Sequence, residues 1–287
     1  MPEGPEIHRQ AQQLRRLLEG REVQLECPFE PLSEKLMPLS GQSLRRVYAR
    51  GKAFLLEFES GMTLYAHMQL YGRWKVHRQQ QPPRTRRQLR LRLSCGGRSA
   101  SLYSATDLHL LTMQELAQQP YLRQLGPDLL DPQVDLQALL ASLHDVRFRG
   151  RQLASLLLDQ NFWAGPGNYL RSEILFCAAL TPELKPRQLS PDQATRLARA
   201  ARLLAHRSLK TGGITHHPEL VEQARQQRVP RRHYRHWVFG REGLPCWLCQ
   251  QPLVKEVWSS RRLYRCYGCG GEDPRAREFP DLRGWVI

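Results

Sequence analysis

Lysine is scarce in a chain that is otherwise strongly basic. Only six lysines, at positions 35, 52, 75, 185, 210 and 255, stand among 43 basic residues. Few side-chain amines are therefore available as nucleophile or proton donor, and arginine supplies most of the charge. Apolar runs are short, far below the ~18–20 residues that cross a bilayer. The start, Met1-Pro2-Glu3-Gly4-Pro5-Glu6, has no basic residues followed by an apolar stretch, so no secretory signal is expected. Cysteines number seven, an odd count that argues against a disulfide framework. A reducing compartment follows, cytoplasm or nucleoid. Acidic residues are also few: 43 Lys+Arg less 27 Asp+Glu leaves +16. Such a field draws polyanions, with nucleic acid first and an anionic membrane surface second.

What is present is enough to fold. Hydrophobic residues make up 41% and charged residues 24% of 287, which excludes global disorder and predicts two domains. Ile7, Ala11, Leu14 and Leu18 recur at helical spacing until Gly20. From Gly41 to Ala105 short strands follow, with Phe54, Leu56 and Phe58 alternating, then Leu89, Leu91 and Leu93. Arg90 and Arg92 between those leucines predict one basic sheet face. A linker is expected near Gly126-Pro127-Asp128 and Asp131-Pro132. Helices are predicted over Asp135–His144, Arg151–Phe162, Asn168–Leu180 and Asp192–Lys210, the last started by Ser190-Pro191. Thr211–Val229 contains Gly212-Gly213, loses periodicity, and is predicted to be a mobile loop.

The strongest local signal is Cys246-x2-Cys249-x16-Cys266-x2-Cys269. Two such knuckles aim four thiolates at one point and complete a closed tetrahedral Zn²⁺ site, structural rather than catalytic. A redox pair or an iron–sulfur site is the other chemistry, but the spacing is that of zinc. Between the knuckles a β-hairpin is predicted, Leu253–Trp258, a Ser259-Ser260 turn, then Arg261–Tyr264. Its arginines either probe phosphate or are simply solvated. Cys27, Cys95 and Cys177 are expected to be small buried apolar residues. Arg228, Arg231, Arg232, His233, Arg235 and His236 interleave with Tyr234, Trp237 and Phe239, which suits either a DNA-facing segment or a solvated strand edge.

Met1-Pro2 is a pattern for methionine removal, which would leave Pro2 with a free secondary amine. An α-amine titrates near ~8, against ~10.4 for lysine, so more of it is neutral and nucleophilic. Such an amine can attack a sugar carbon and form an iminium. Glu3 and Glu6 lie directly behind it as acid and base, or serve only as dipole-favoured helix-start residues.

Taken together, Pro2-Glu3-Gly4-Pro5-Glu6-Ile7, Arg50-Gly51-Lys52, Leu158-Asp159-Gln160-x4-Gly165-Pro166-Gly167-Asn168-Tyr169 and the four-cysteine finger, in that order, resemble the formamidopyrimidine-DNA glycosylase superfamily. His67-Met68-Gln69-Leu70-Tyr71-Gly72 and Tyr103-Ser104-Ala105-Thr106-Asp107 are similar to its endonuclease VIII branch. The resemblance implies Pro2 as the nucleophile, Glu3 as the proton donor to the sugar ring oxygen, and Glu6 as its support. It implies Lys52 as a phosphate contact and proton donor in elimination. Arg261 would grip the phosphate beside the flipped nucleotide, and Asn168 would bind the same backbone from a helix-two-turn-helix. Gln69, Leu70 and Tyr71 would be the wedge that fills the gap left by the flipped base. The branch has an arginine two residues before the linker's Gly-Pro-Asp. Here that position is Gln124, with Arg123 beside it, so either could contact DNA. The tail 270–287 runs past the family's usual end; Trp285-Val286-Ile287 either docks or frays.

The expectation is an α+β fold: an N-terminal helix and β-sandwich catalytic domain over 1–126, a linker over 127–133, a helix-two-turn-helix domain over 134–230, a β-hairpin zinc finger over 231–269, and a tail. The resemblance further implies a monomeric, nucleoid-associated, cytoplasmic base excision repair enzyme. It would hold one structural Zn²⁺ and no small-molecule cofactor, bind damaged DNA in a basic cleft and no membrane, and act as glycosylase and AP lyase. It would excise oxidised bases, pyrimidines preferred, and cut by β,δ-elimination. Two alternatives stand beside it. A purine-directed formamidopyrimidine/8-oxoguanine glycosylase is weakly opposed by Gln69-Leu70-Tyr71. A non-catalytic zinc-finger DNA-binding protein is opposed by Pro2, Glu3 and Lys52.

Overall fold

The structure, a computed structural model, describes residues 2–269. The expectations for Met1 removal and for the tail Gly270–Ile287 lie outside the described residues. The chain forms two compact units that divide between Leu125 and Gly126.

The first unit starts with α1 (Gly4–Leu18), whose stripe Ile7, Ala11, Leu14 and Leu18 is fully buried. Gly20, at φ +73°, turns the chain out of it. Eight strands follow: β1 (Gln24–Glu26), β2 (Leu44–Arg50), β3 (Ala53–Phe58), β4 (Thr63–His67), β5 (Arg73–Arg78), β6 (Leu89–Cys95), β7 (Arg98–Tyr103) and β8 (Asp107–Leu111). They pair antiparallel in two sheets, ordered β2-β3-β4-β8 and β1-β6-β7-β5. Their inner faces share one core, with Val47, Phe54, Leu56 and Leu64 from one sheet, Leu91, Leu93 and Leu102 from the other, and the α1 stripe. This is the expected sandwich with a helix ahead of it. The outer face of β3 and β4 is also covered, because Ala53, Leu55 and Tyr65 lie under Leu122, Tyr121 and Leu125. That double cover explains why β3 reads as a near-continuous apolar run. The basic face of β6 exists, but its arginines are engaged. Arg92 pairs across the strands with Glu26 at 2.5 Å, and Arg90 lies 4.1 Å over the Phe29 ring.

The second unit opens with Gly126, where a Cβ would sit 2.4 Å from the carbonyl oxygens of Asn161 and Phe162. Only glycine lets residues 126–129 pair with 160–164. Four longer helices follow: α2 (Leu136–His144), α3 (Asn168–Ala178), α4 (Pro191–Thr211) and α5 (Pro218–Gln226). Asp135 caps α2 and Ser190 caps α4, with Pro191 at the first helical position as expected. A hairpin, β9 (Val254–Trp258) and β10 (Arg261–Arg265), completes the unit. Leu263 of that hairpin enters the same core as Leu139, Trp163, Ile174 and Leu204, so the finger packs directly onto the helices.

Four sequence readings need correction. Arg151–Phe162 is helical only over Leu153–Leu156. Beyond it Asp159 accepts the Asn161 N–H at 2.9 Å and Gln160 donates to the carbonyls of Leu158 and Pro166, so side chains take the backbone bonds a helix needs. Thr211–Val229 is not one loop, because Pro218 starts α5 and Val221 and Ala224 give it a buried face. Arg228–Phe239 is not a strand edge, because Arg231–Tyr234 forms a helical turn. Tyr234, His236 and Trp237 point inward, while Arg231 and Arg235 each donate at 2.6 Å to carbonyls of Gly212 and Gly213. Cys27, Cys95 and Cys177 are partly exposed rather than buried.

The hairpin tip is the predicted serine pair. Ser259 and Ser260 both have positive φ, +48° and +60°, with Trp258 opposite Arg261. That is the backbone of a two-residue turn matched to strand twist, a position that normally selects Asn-Gly. A left-handed L-residue costs about 1–2 kcal/mol, partly recovered by glycine's larger unfolded entropy. Ser260→Gly should therefore raise stability by about 0.5–1 kcal/mol. A urea unfolding midpoint that stays or falls would show that the serine hydroxyls pin this turn.

Candidate active site and nucleic-acid interface

Glu3 is 3% exposed at the N-cap of α1, and its backbone N–H donates to Glu6 Oε2 at 3.0 Å. The Glu6 carboxylate thus fixes the first turn, and the Glu3 side chain is held inside the fold immediately after Pro2. Fifteen residues make α1 about 22 Å long. Seven residues make β2 about 23 Å long. The two meet at one end, where Gly20 N–H donates to the Leu44 carbonyl at 2.7 Å and Glu19 accepts the Val47 N–H at 2.9 Å. Since β2 packs along α1, equal length returns Arg50-Gly51-Lys52 toward the amino end of the helix, where Pro2 and Glu3 lie. Gly51 turns there with φ +57°, and Lys52 is 8% exposed. The Tyr121 hydroxyl accepts the Lys52 backbone N–H at 2.8 Å. A Cβ on Gly51 would lie 2.7 Å from that hydroxyl, so the turn closes only on glycine. Sequence reasoning missed Tyr121, whose only signal is an aromatic residue in a polar segment.

Gln69, Leu70 and Tyr71 form the loop between β4 and β5. Gly72 N–H closes it on the Met68 carbonyl at 2.8 Å. A burial at the strand end is ruled out for Leu70 and Tyr71, which are 53% and 69% exposed. Gln69 adopts φ +49°, its Oε1 accepts from Thr106 Oγ1 at 2.8 Å, and its N–H reaches His67 Nδ1 at 3.3 Å. Burial, partly offset by Asp107 and reinforced by Lys52, holds His67 below the ordinary imidazole value and favours the neutral ring. Arg123 and Gln124 sit at the end of a short helical turn, Pro120–Arg123, and both are exposed.

In the second unit Asn168 opens α3, part-exposed, behind the N-cap Gly167. The next turn carries three residues that hold the finger. Arg171, fully buried, donates to the Ala154 carbonyl at 3.0 Å and to the Arg262 carbonyl at 2.9 Å. Ser172 Oγ accepts the Tyr264 N–H at 3.1 Å. Glu173, also fully buried, accepts from Thr215 Oγ1 and from the N–H groups of Trp237, Val238 and Phe239 at 2.5–2.9 Å. Burial pushes the Glu173 carboxyl up, and the four donors act against that shift. Arg261 is exposed, with its main chain tied beneath it. None of Arg171, Ser172 and Glu173 was singled out from sequence. Polar residues on an otherwise buried helix were the available signal.

Cys246, Cys249, Cys266 and Cys269 bring their Sγ atoms within 4.8 Å of one another, with 3.8 Å between Cys246 and Cys269 and 3.4 Å between Cys249 and Cys266. A tetrahedral ion with ~2.3 Å bonds to sulfur sets its thiolates about 3.8 Å apart. Burial and the neighbouring Cys249 thiol push the Cys266 and Cys269 thiols up, a shift that a cation held between the four sulfurs would oppose. A Cβ on Gly268 would lie 2.9 Å from Cys249 Sγ, which leaves glycine as the residue that fits the second knuckle.

Residues 1–108 match the family model of the formamidopyrimidine-DNA glycosylase N-terminal domain, and residues 125–219 match that family's H2TH domain. Endonuclease 8 of Escherichia coli strain UMN026 is 40% identical over 274 residues, 94% of this chain and 99% of that protein. The chain belongs to the formamidopyrimidine-DNA glycosylase family. Endonuclease 8 of Shigella sonnei is 39% identical over the same shares. Among solved structures, the MutM (Fpg) protein of Thermus thermophilus is 29% identical with a TM-score of 0.74, covering 95% of this chain and 100% of that one. A Lactococcus lactis Fpg, crystallised with N7-benzyl-Fapy-dG containing DNA, shares the fold at 19% identity and TM-score 0.77, covering 94% of this chain and 100% of that one. The glycosylase is a bifunctional DNA glycosylase/AP lyase of base excision repair. Among its described residues no helix is long and apolar enough to cross a membrane.

The glycosylase's four thiols fit a metal ion of zinc's geometry, and they would hold it with no open position, so it would supply structure rather than chemistry. Cys246 and Cys266 are buried in the cluster that also contains Trp237, Val238, Leu253 and Tyr264, which links metal and hairpin. Cys249→Ser should weaken uptake of zinc, measured by atomic absorption and a thiol-reactive dye, and DNA affinity should fall with it. Full affinity in the metal-free variant would separate the finger from binding.

Proposed function

We propose that Pro2, as the chain's α-amine, attacks C1′ of a damaged nucleotide and displaces the base, and that oxidised pyrimidines are its preferred lesions. Glu3 gives its proton to the sugar ring oxygen, the ring opens, and the Pro2 nitrogen becomes an iminium. Loss of the C2′ proton to a base then expels one flanking phosphate, and a second elimination expels the other. Lys52 acts as proton donor in these steps, and Glu6 supports Glu3. Arg261 and Asn168 hold the flanking backbone, as does Arg123 or Gln124, while Gln69, Leu70 and Tyr71 fill the vacated stack. The glycosylase works as a monomer on nucleoid DNA, with one Zn²⁺ in the four-cysteine site. The observation that carries the chemistry is a buried carboxylate, Glu3, directly behind Pro2, with its backbone pinned by Glu6. The scarcity of lysine leaves the α-amine as the softer base, near ~8 rather than ~10.4.

Borohydride added during turnover should trap a protein–DNA adduct at Pro2, and Pro2→Gly should lose it; an adduct mapped to Lys52 would move the nucleophile there. Glu3→Gln nearly preserves shape but removes the proton. Excision from intact lesion nucleotides should drop about 10²–10⁴-fold, the usual worth of general acid help. Cleavage at preformed abasic sites should suffer less, because that sugar opens without it. Equal losses on both substrates would make Glu3 an anchor of the N-terminus and nothing more.

A further inference from the structure

The loop that carries Leu70 is gripped on both flanks and free at its tip. On one flank, Gln69 is held by Thr106 and His67. On the other, Arg87 Nη1 donates to the Tyr71 carbonyl at 2.7 Å, across 16 residues of chain. Arg87 is itself placed: its N–H meets Thr85 Oγ1 at 3.2 Å, and the next residue, Gln88, accepts the Ser104 N–H at 2.9 Å. Those bonds seat it between the start of β6 and the turn that carries Thr106. Arg84 and Arg86 lie on the same exposed segment, and of the three it is Arg87 that bonds to the loop's main chain.

We propose that Arg87 is a positioning residue for base eversion: its bond to the Tyr71 carbonyl keeps Leu70 and Tyr71 poised for insertion before DNA arrives. A loop ordered only on contact would lose backbone freedom at the moment of insertion, and that loss would weaken the flipped state. A loop ordered beforehand avoids it. A side-chain donor to a main-chain carbonyl suits the task, because it fixes the loop and leaves Leu70 and Tyr71 free to enter the stack. The inference rests on reading Gln69, Leu70 and Tyr71 as the wedge.

The test compares one oxidised pyrimidine in duplex and in single-stranded DNA, under single-turnover conditions with the full-length protein. Only the duplex has a stack to be filled. Arg87→Ala should slow duplex excision about three- to tenfold, the worth of one partly exposed charged hydrogen bond. It should leave the single-strand rate within about twofold. Arg87→Lys, which keeps a donor, should recover most of the loss. The double variant Arg84→Ala/Arg86→Ala removes charge without touching the loop, and should weaken both substrates alike and flatten their salt dependence. Equal loss for Arg87→Ala on both substrates, or the same duplex-specific loss in the double variant, would reduce Arg87 to one more positive charge and overturn the proposal. Leu70→Ala separates the two readings. No duplex-specific loss there would sink the wedge itself, and the proposal with it. Such a loss without one in Arg87→Ala would sink only the positioning role.

Discussion

One turn of α3 organises the second unit. Arg171, Ser172 and Glu173 are consecutive, buried, and each bonded to chain 65 or more residues away or to the finger itself. A carboxylate without water must find donors, and Glu173 finds the N–H groups of Trp237, Val238 and Phe239. A guanidinium without water must find acceptors, and Arg171 finds carbonyls at the finger hairpin. The lead-in to the cysteines and the hairpin beyond them are therefore set by the helix that begins with Asn168. Removing one partner from such a network costs about 3–5 kcal/mol, because the charge left behind stays buried. Asn168 and the Arg261 backbone are thus tied through the same turn of α3, and a metal ion held by the four cysteines would stiffen the far end.

The first unit depends on close approach instead. A helix and a strand of matching length bring the Lys52 turn back toward Glu3, and Gly51 lets Tyr121 come to within hydrogen-bond reach of the turn. In the loop after β4, Gly72 lets the chain fold back on Met68, where a Cβ would meet the carbonyl oxygen at 2.6 Å. Both glycines permit close approach, and substitution at either would shift its neighbour, Lys52 or Tyr71.

Local periodicity and spacing were legible wherever the cause is local. The α1 stripe, the Ser190 cap, the serine turn of the hairpin and the paired CxxC knuckles are each written within a few residues, and each stands as expected. Where distant partners decide, the sequence was silent. Arg171 and Glu173 look like surface residues of an amphipathic helix until the finger covers them. The helix expected over Arg151–Phe162 fails because Asp159 and Gln160 spend their side chains on the backbone of the turn before α3. The segment from Arg228 to Phe239 read as an interface because basic and aromatic residues alternate there. Tyr234 and Trp237 are buried and serve the core, while Arg231 and Arg235 brace the Gly212-Gly213 turn.

The site combines rigid and strained parts in a way that fits a substrate needing distortion. Gln69 and Ser104, neither of them glycine, both sit at positive φ, on the two turns joined by the Gln69–Thr106 bond. Each such residue costs on the order of 1 kcal/mol and persists only where its surroundings over-determine it. Here the surroundings do so: β4 pairs with β8 on one side, β5 and β6 pair with β7 on the other, and Arg87 closes the gap between them. The strain is held by the sheets, not by DNA. In the function proposed above, Leu70 and Tyr71 would meet an intact duplex already in this shape, and the energy of binding would go to the nucleotide that has to move.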